Sequence, residues 1–291
     1  MGIALYTAKL LKETISIIEL KNSILQLGKQ DVYFFNDDLP GNLNSPDFNK
    51  IESPKKKLSD IELFKSFGFD TIKSVDFSTF EGSDYQYDLN LPVYPHQLAN
   101  PPIPEFDVVF DGGTLEHVFN VPQALKNAFN FTKVGGVIIH NVGSHNYVDH
   151  GFYSFSPTFF YDYYEANGFE ILQSFYYEFD RNSIRKAWIY NYTPTSIDHL
   201  SLGGWGTKPI ALWFVVKKTI NSTCSVIPSQ RFYSHKWLPS ERNLANINTS
   251  RPKGVKLARS IIRRGLKRLK LYDYVWSLLH RIRPRPIKVF K

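Results

Sequence analysis

Several predicted strands end on residues that could bind a ligand. In an open parallel sheet, ligands bind beyond the carboxyl ends of the strands. Glycine at such a position lets the backbone approach a ligand closely, and an acidic side chain can accept two hydrogen bonds from a ribose diol. For Asp76, capping of a helix or a turn is an equal alternative. The residues at the four predicted strand ends are Gly28, Asp76, the Asp111-Gly112-Gly113 turn, and His140-Asn141.

Four histidines at or near these strand ends could act as a general base: His117, His140, His145 and His150. An unperturbed imidazole titrates near neutral pH, which suits removal of a proton from an oxygen acceptor. His140 ends a predicted strand on the ligand side, and His117 opens the next helix. We therefore predict that His140 or His117 assists deprotonation, with Asp111 behind it. For each histidine, a structural or surface role is the alternative.

The segment from His140 to His150 also permits a metal site. The imidazoles of His140, His145 and His150 and the carboxylate of Asp149 are ligands that zinc or another divalent ion accepts. However, their spacing matches no metal motif, and they span a strand end and a loop. We therefore predict no metal ion in this segment.

The elements that position these residues form a βαβ unit. The apolar run 106–111 predicts a strand, residues 114–131 a helix, residues 133–136 a turn, and residues 137–142 a second strand. Because parallel strands need a crossover connection, this order implies a parallel sheet covered by helices.

Predicted strands and helices also alternate before and after this βαβ unit. We expect an α/β fold with a doubly wound, mostly parallel sheet over residues 21–220, preceded by an N-terminal helix at 1–20. Ser59 and Glu62 form a capping-box pattern for a short helix. The remaining predicted elements are strands at 24–28, 71–76, 85–89, 169–177 and 210–219, helices at 59–67 and 157–167, and a long loop at 36–57.

Two stretches of this sequence resemble a known family. Residues 106–118, FDVVFDGGTLEHV, are similar to the fourth-strand motif of class I S-adenosylmethionine-dependent methyltransferases, and residues 133–137, KVGGV, resemble the turn before their fifth strand. Residues 150–170 resemble a segment of methyltransferase-like proteins in sugar and cell-surface polymer pathways. The resemblance implies a Rossmann-like methyltransferase fold, S-adenosylmethionine as cofactor, and a small molecule or a surface-glycan sugar as methyl acceptor.

The resemblance also implies roles for individual residues. Gly28 would lie under the cofactor, and Asp76 would bind its ribose. Asp88 and Leu89 would flank the adenine. The residues expected to form the wall where methyl donor and acceptor meet are Asp111, Gly112 and Gly113.

The first glycine motif of the family is degenerate here. The family has an acid followed by three alternating glycines, whereas the aligned stretch runs from Gln26 to Val32 and keeps only Gly28. Gln30 replaces the second glycine, and such a side chain would crowd the methionine end of the cofactor. The alternative function is therefore a binding or scaffold module that has lost the cofactor.

The charge distribution separates a basic tail from an acidic body. Residues 251–291 contain 14 basic residues and one acidic residue, whereas the rest of the chain contains 21 basic and 26 acidic residues. We predict a linker at 221–250 and a basic amphipathic helical tail at 251–291, with an anionic membrane surface as its partner. The alternatives are packing against the body and an RNA methyltransferase that binds RNA through the tail, although we expect no nucleic-acid partner.

The cysteine count and the hydropathy of the sequence exclude some classes of protein and indicate a cellular compartment. A single cysteine, Cys224, excludes a disulfide scaffold. The sequence has no apolar run of the length that a spanning helix requires, and residues 1–20 do not form a signal-peptide core. We therefore expect a cytoplasmic protein that is peripheral on the inner face of a membrane.

Overall fold

The computed structural model describes residues 2–35, 38, 57–93, 102–201, 204–233 and 284–290. Short 3₁₀ turns occur at Leu115–His117 and Asp198–Leu200. The helices and strands of these residues are β1 (Gly2–Ile3), α1 (Leu5–Ser16), β2 (Ser23–Leu27), β3 (Asp31–Val32), α2 (Asp60–Ser66), β4 (Thr71–Asp76), β5 (Tyr85–Gln86), β6 (Phe106–Asp111), α3 (Val121–Phe131), β7 (Thr132–His145), α4 (Pro157–Ala166), β8 (Glu170–Phe179), β9 (Ala187–Asn191), β10 (Ile210–Lys217) and β11 (Lys288–Phe290).

Among the described residues, nine strands form one sheet in the order β11-β9-β8-β10-β7-β6-β2-β4-β5. The chain first runs outward from β2 through β4 to β5, and then returns to place β6 on the other side of β2. This reversal is a topological switch point between β2 and β6, and ligands of doubly wound sheets bind at such a place. A separate two-stranded sheet pairs β1 with β3.

The sheet is mixed, so the prediction of a mostly parallel sheet is wrong. The four pairings among β5, β4, β2, β6 and β7 are parallel. The four pairings from β7 through β10, β8 and β9 to β11 are antiparallel. An apolar run predicts a buried strand but not its direction, because both kinds of strand bury similar side chains.

Helices cover both faces of the sheet, as the α/β prediction requires. Trp213 and Phe214 are neighbours on β10 and therefore point to opposite faces. The indole N–H of Trp213 donates to Thr14 of α1 at 3.1 Å. Phe214 contacts the rings of Phe160 and Tyr164 on α4, with centroids 5.9 and 6.1 Å apart. All of these side chains are fully or almost fully buried.

The predicted helix 114–131 is split in two. A 3₁₀ turn at Leu115–His117 is followed by extended backbone at Val118, and α3 begins at Val121. Pro122 explains the late start, because proline lacks an N–H and suits the first turn of a helix rather than its interior. The predicted capping box of α2 is confirmed, with Ser59 and Glu62 bonded reciprocally.

The predicted turn at 133–136 lies inside β7. The register of β6 against β7 shifts between Phe106 and Val108, whose partners are Thr132 and Val137. The extra residues form an irregular bulge in which Gly135 has a φ of 83°, a conformation that favours glycine. A glycine pair therefore marks a bulge here rather than the end of a strand.

The internal contacts divide the chain into two units. The first comprises Met1–Asn191, Lys208–Ile227 and Pro286–Lys291, and it contains every numbered helix and strand given above. The second comprises Tyr192–Thr207 and Pro228–Arg285. The boundaries proposed from the sequence stay a prediction.

Most of the predicted tail lies outside the described residues, as does nearly all of the predicted loop at 36–57. At the end of the tail, residues 288–290 form β11, which pairs with β9 and is not helical. None of the helices among the described residues has the length and apolar composition needed to span a bilayer.

Asp107 joins three strands at the amino end of the sheet. One carboxylate oxygen accepts from the backbone N–H groups of Asn22 and Ser23 at 3.0 and 2.9 Å, and the other accepts from Lys133 at 2.8 Å. Burial raises the pKa of Asp107, but the hydrogen bonds from Lys133 and Ser23 outweigh it and leave the pKa below its usual value. The ionised form of Asp107 therefore stabilises the fold.

We predict that Asp107→Asn lowers the free energy of unfolding at pH 7 by about 2–3 kcal/mol, because an amide cannot accept all these hydrogen bonds. Since the folded-state pKa is lowered, the advantage of the native protein is fully present above the usual carboxyl range. It should shrink as the pH falls below about 3.9. Urea unfolding at a series of pH values measures this difference. Asp70→Asn, at an exposed position, is the control, and a pH-independent difference for Asp107→Asn would contradict the prediction.

Candidate functional site

The carboxyl ends of β4, β2 and β6 lie in one row across the sheet with His140 of β7. The prediction that His140 ends its strand is wrong, because β7 continues to His145 in its pairing with β10. Leu27 of β2 pairs with Val75 of β4 on one side and with Asp111 of β6 on the other, and Asp111 pairs with His140 of β7. We call these four residues the strand-end row. Gly28, Asp76 and Gly112 come directly after it, so the structure brings these predicted site residues to one edge.

Asp111 and His140 form a buried hydrogen-bonded chain with Tyr164. One oxygen of Asp111 lies 2.8 Å from Nδ1 of His140, and Nε2 of His140 lies 2.6 Å from the Tyr164 hydroxyl. Burial, followed by Tyr163 and Asp111, raises the pKa of Tyr164 well above its ordinary value, so its hydroxyl stays protonated. The arrangement that satisfies all three groups has Tyr164 donating to Nε2 and Nδ1–H donating to Asp111.

The second oxygen of Asp111 caps the turn after β6. It accepts from the backbone N–H groups of Gly113, Thr114 and Leu115, at 3.3, 2.8 and 3.3 Å. Gly113 has a φ of 102°, which a side chain would disfavour. Asp111 therefore fixes the path of the chain that leads to Glu116.

The Asp111 chain has no exposed member. Asp111 and His140 are 0% exposed, and both ring nitrogens of His140 already have partners. This geometry favours His140 as a positioning residue over its predicted role as a base. Tyr164, which sequence reasoning missed, comes from an aromatic helix 24 residues away, and no local motif indicates the contact.

Asp76 caps the bend after β2 and also faces the switch point. Its carboxylate accepts from the backbone N–H groups of Lys29 at 3.2 Å and Phe77 at 2.7 Å. Gly28 has a φ of 74° and donates its N–H to Val75 at 2.8 Å. Asp76 is half-buried, and a carboxylate has about four lone-pair sites. Two backbone contacts therefore leave capacity for a diol.

Gln30 fills the space above Gly112. A Cβ built on Gly112 would lie 2.3 Å from Oε1 of Gln30, so the two residues are in direct contact. Nε2 of Gln30 donates to the Gly28 carbonyl at 3.2 Å, whereas Oε1 is buried with no hydrogen-bond partner among the described residues. The missing side chain of Gly112 thus makes room for Gln30.

Asp88 and Leu89 lie in a loop that is tied to α3. Asp88 accepts from the backbone N–H and side-chain amide of Asn90 at 2.9 and 2.7 Å. The Leu89 carbonyl accepts from Asn127 at 3.0 Å, and its side chain is 5% exposed. The structure keeps both residues near the end of β5 but gives them local structural contacts.

A cavity of about 420 Å³ lies beside the bend after β2. Its volume is in the range of small-molecule sites. It does not reach the Asp111 chain, Asp76 or Asp88. One of its walls is the ion pair between Lys29 and Asp60, at 2.7 Å. The residues that line it are Lys29, Gln30, Asp31, Val32, Lys57, Leu58, Ser59, Asp60 and Glu81.

Glu116, His117 and His150 form a cluster just beyond Asp111, which we call the Glu116 cluster. One candidate ligand atom from each residue lies within 4.8 Å of the others. Glu116 is 3% exposed, and Oε2 of its carboxyl group has no hydrogen-bond partner among the described residues. Burial, and then Asp111, raises the pKa of Glu116 to about 8. Both imidazoles are exposed.

The loop at 150–153 is fastened to the Glu116 backbone. The N–H groups of Phe152 and Tyr153 donate to the Glu116 carbonyl at 2.7 and 3.2 Å. Partial burial, and then His150, lowers the pKa of His117. The sequence named His117 and His150 among the candidate bases but did not predict their contact, and it left Glu116 without a role, since a contact between residues 117 and 150 depends on this loop.

The structure does not bring together the possible metal ligands of the segment from His140 to His150. His140 is enclosed between Asp111 and Tyr164, while His150 lies against His117, with ring centroids 5.1 Å apart. The structure therefore brings His150 to Glu116 and His117 rather than to His140.

No protein-family model matches the chain, and no curated protein matches it. Among solved structures, the chain is similar to the YcgJ protein from Bacillus subtilis, with 12% identity, a TM-score of 0.41, and 74% of this chain and 98% of that chain covered. An S-adenosylmethionine-dependent methyltransferase from Clostridium acetobutylicum has 11% identity, a TM-score of 0.33 and coverages of 73% and 90%. For one from Mesorhizobium loti the values are 12%, 0.29, and 82% and 92%. Similarity at this level assigns no function.

We predict that Tyr164→Phe lowers the free energy of unfolding by about 1–3 kcal/mol, because it leaves Nε2 of the buried His140 without a donor. Denaturant unfolding measures the change. Tyr153→Phe removes the same atom from an exposed hydroxyl that donates to the Phe119 carbonyl at 2.7 Å, so we expect less than about 0.5 kcal/mol there. Equal losses of unfolding free energy in the two variants would contradict a larger contribution from the buried hydrogen bond of Tyr164.

Proposed function

We propose that this chain is an S-adenosylmethionine-dependent methyltransferase. The observation that carries the proposal is the strand-end row, which sets Gly28, Asp76 and the Asp111–Gly113 turn side by side at a topological switch point. Ligands of doubly wound sheets bind at this place. The resemblance of residues 106–118 to a methyltransferase motif supports the same activity.

The residues at this edge fit the nucleoside end of the cofactor. Asp76 keeps lone pairs for the ribose hydroxyls, and Gly28, whose positive φ favours glycine, has no side chain to keep a ligand from its backbone. Asp88 and Leu89 would contact the adenine. When bound, S-adenosylmethionine supplies a methyl group on a positively charged sulfur. Gln30 lies on Gly112 where the resemblance places the methionine end, and its side chain would have to turn away to admit that end.

The chain's own residues would hold the acceptor, exclude water and take a proton. Asp111, fixed by His140 and Tyr164, keeps the Gly112-Gly113 wall in place. His117 is the better candidate for the base because its ring is exposed and its pKa is lowered, so it is neutral and able to accept a proton at pH 7. A small molecule or a sugar hydroxyl is the acceptor that the resemblance suggests.

A second candidate function is a binding module without the methyl donor. Gln30 favours it, since its buried side chain occupies the space that the family's glycine would leave open. Both candidates use the same switch point, so they differ in whether the cofactor enters.

We also propose an anionic membrane surface at the inner face as partner of residues 251–291. This proposal is supported by the charge of the segment, which contains 14 basic residues and one acidic residue. Residues 251–283 lie outside the described residues, so the proposal rests on the sequence.

We predict that the protein binds S-adenosylmethionine and S-adenosylhomocysteine, and that Asp76→Ala weakens both by at least about tenfold, since a charge-assisted hydrogen bond contributes about 1.5–3 kcal/mol. Isothermal titration calorimetry measures the affinities. Asp70→Asn, just before the amino end of the same strand, is the control and should bind as the native protein does. Absence of binding to the native protein would exclude the cofactor.

We predict that Gln30→Gly strengthens binding of S-adenosylhomocysteine, because it removes the side chain that contacts Gly112. The same calorimetric titration tests this. Gln26→Ala, in β2 just before the bend and bonded to Asp60 rather than lying on Gly112, controls for general loosening. If Gln30→Gly weakens binding instead, Gln30 is a cofactor contact. If neither the native protein nor Gln30→Gly binds, the second candidate function is favoured.

A further inference from the structure

The Glu116 cluster has the donor set of a transition-metal site. Two imidazoles and one carboxylate suit zinc and other divalent first-row ions, and three protein ligands leave positions open for a further ligand. The three residues come from two segments, the 3₁₀ turn after β6 and the loop after β7, so the fold rather than local sequence brings them together.

The spacing of the ligand atoms is close to what an ion requires. Two ligands at about 2.1 Å in a tetrahedral site lie about 3.4 Å apart, whereas the atoms of Glu116, His117 and His150 lie within 4.8 Å of one another. Both imidazoles are exposed and can rotate about their side-chain bonds without disturbing the core. We expect rotation of the exposed His117 and His150 side chains to close this gap.

A buried oxygen without a partner points to a ligand at this place. Oε2 of Glu116 is shielded from water and has no hydrogen-bond partner among the described residues, and a buried polar atom without a partner is unfavourable. Asp111, itself fully buried, contributes further negative charge close by. A cation beside Glu116 would give this oxygen a partner.

The backbone around the cluster holds the site in shape. The Glu116 carbonyl accepts from Phe152 and Tyr153, which fixes the loop that carries His150. A Cβ on Gly151 would lie 2.6 Å from the Glu116 carbonyl and 3.3 Å from Nδ1 of His117. Glycine at 151 is therefore what allows this loop to approach the cluster.

We propose that Glu116, His117 and His150 bind one divalent transition-metal cation, with Zn²⁺ as the probe of choice. Binding of the ion does not depend on the proposed methyl transfer. Only the next step rests on that proposed function: a cation here would bind an acceptor hydroxyl and lower its pKa, and His117 would then act as a ligand rather than as a base.

The test uses full-length protein made without a histidine tag, stripped with a chelator and titrated with Zn²⁺ by calorimetry in the absence of methyl donor. We expect one ion per chain with micromolar or tighter affinity. His150→Ala should weaken binding by at least about 100-fold, since even neighbours of metal ligands contribute 10–100-fold. His117→Gln is the second ligand variant, and both changes are at exposed positions.

His145→Ala is the matched control, because His145 lies in the same stretch of chain but outside the Glu116 cluster. It should bind Zn²⁺ as the native protein does, and Co²⁺ should give the same visible absorption in both. The proposal is overturned if the native protein takes up no ion, if His150→Ala and His117→Gln keep native affinity, or if His145→Ala loses as much as they do. Because no methyl donor is present, these outcomes are independent of cofactor binding.

Discussion

The buried carboxylate of Asp111 is the constraint on which the rest of the site depends. A fully buried charge must be compensated, and Asp111 is compensated by Nδ1–H of His140 and by three backbone N–H groups of the turn that follows it. The first contact ties β6 to β7 and, through Tyr164, to α4. The other three set the direction of the turn that presents Glu116 and His117.

Two acidic groups in such a confined place cannot both be ionised cheaply. Asp111 has four hydrogen-bond donors, whereas Glu116 lacks a partner for one oxygen among the described residues. Because Glu116 is buried beside Asp111, its pKa is raised to about 8. The two carboxyl groups thus take different roles: Asp111 holds the structure, and Glu116 stays available for a proton or a cation.

The sequence was sufficient where the determinants are local. Ser59 and Glu62 predicted the start of α2 because a capping box needs only residues three positions apart. The run 106–111 predicted β6 because a continuous apolar stretch indicates a strand buried on both faces. The direction of β10 and the presence of β9 and β11 were not predictable in this way, since they depend on pairings between distant segments.

The candidate site shows the same division. The positions of Gly28, Asp76 and the Asp111–Gly113 turn at strand ends followed from the sequence, because apolar runs indicate where strands lie and end. The contacts of His140 with Tyr164 and of His117 with His150 could not be predicted, because the partners are 24 and 33 residues apart and meet only in the folded chain. His140 thus has the identity expected of a base but the surroundings of a structural residue.

The departure from the glycine motif has a structural counterpart in the pairing of the bend after β2 with the N-terminal strand. After Gly28 the chain does not enter a helix. Instead, β3 pairs with β1, with Asp31 opposite Gly2 and Val32 opposite Ile3. This pairing fixes the bend, and Gln30 turns inward onto Gly112. A glycine at position 30 would leave that space open for a ligand, whereas the Gln30 side chain fills it. The N-terminal strand therefore helps to hold Gln30 over Gly112. On the β7 side, by contrast, the Glu116 cluster presents two exposed imidazoles.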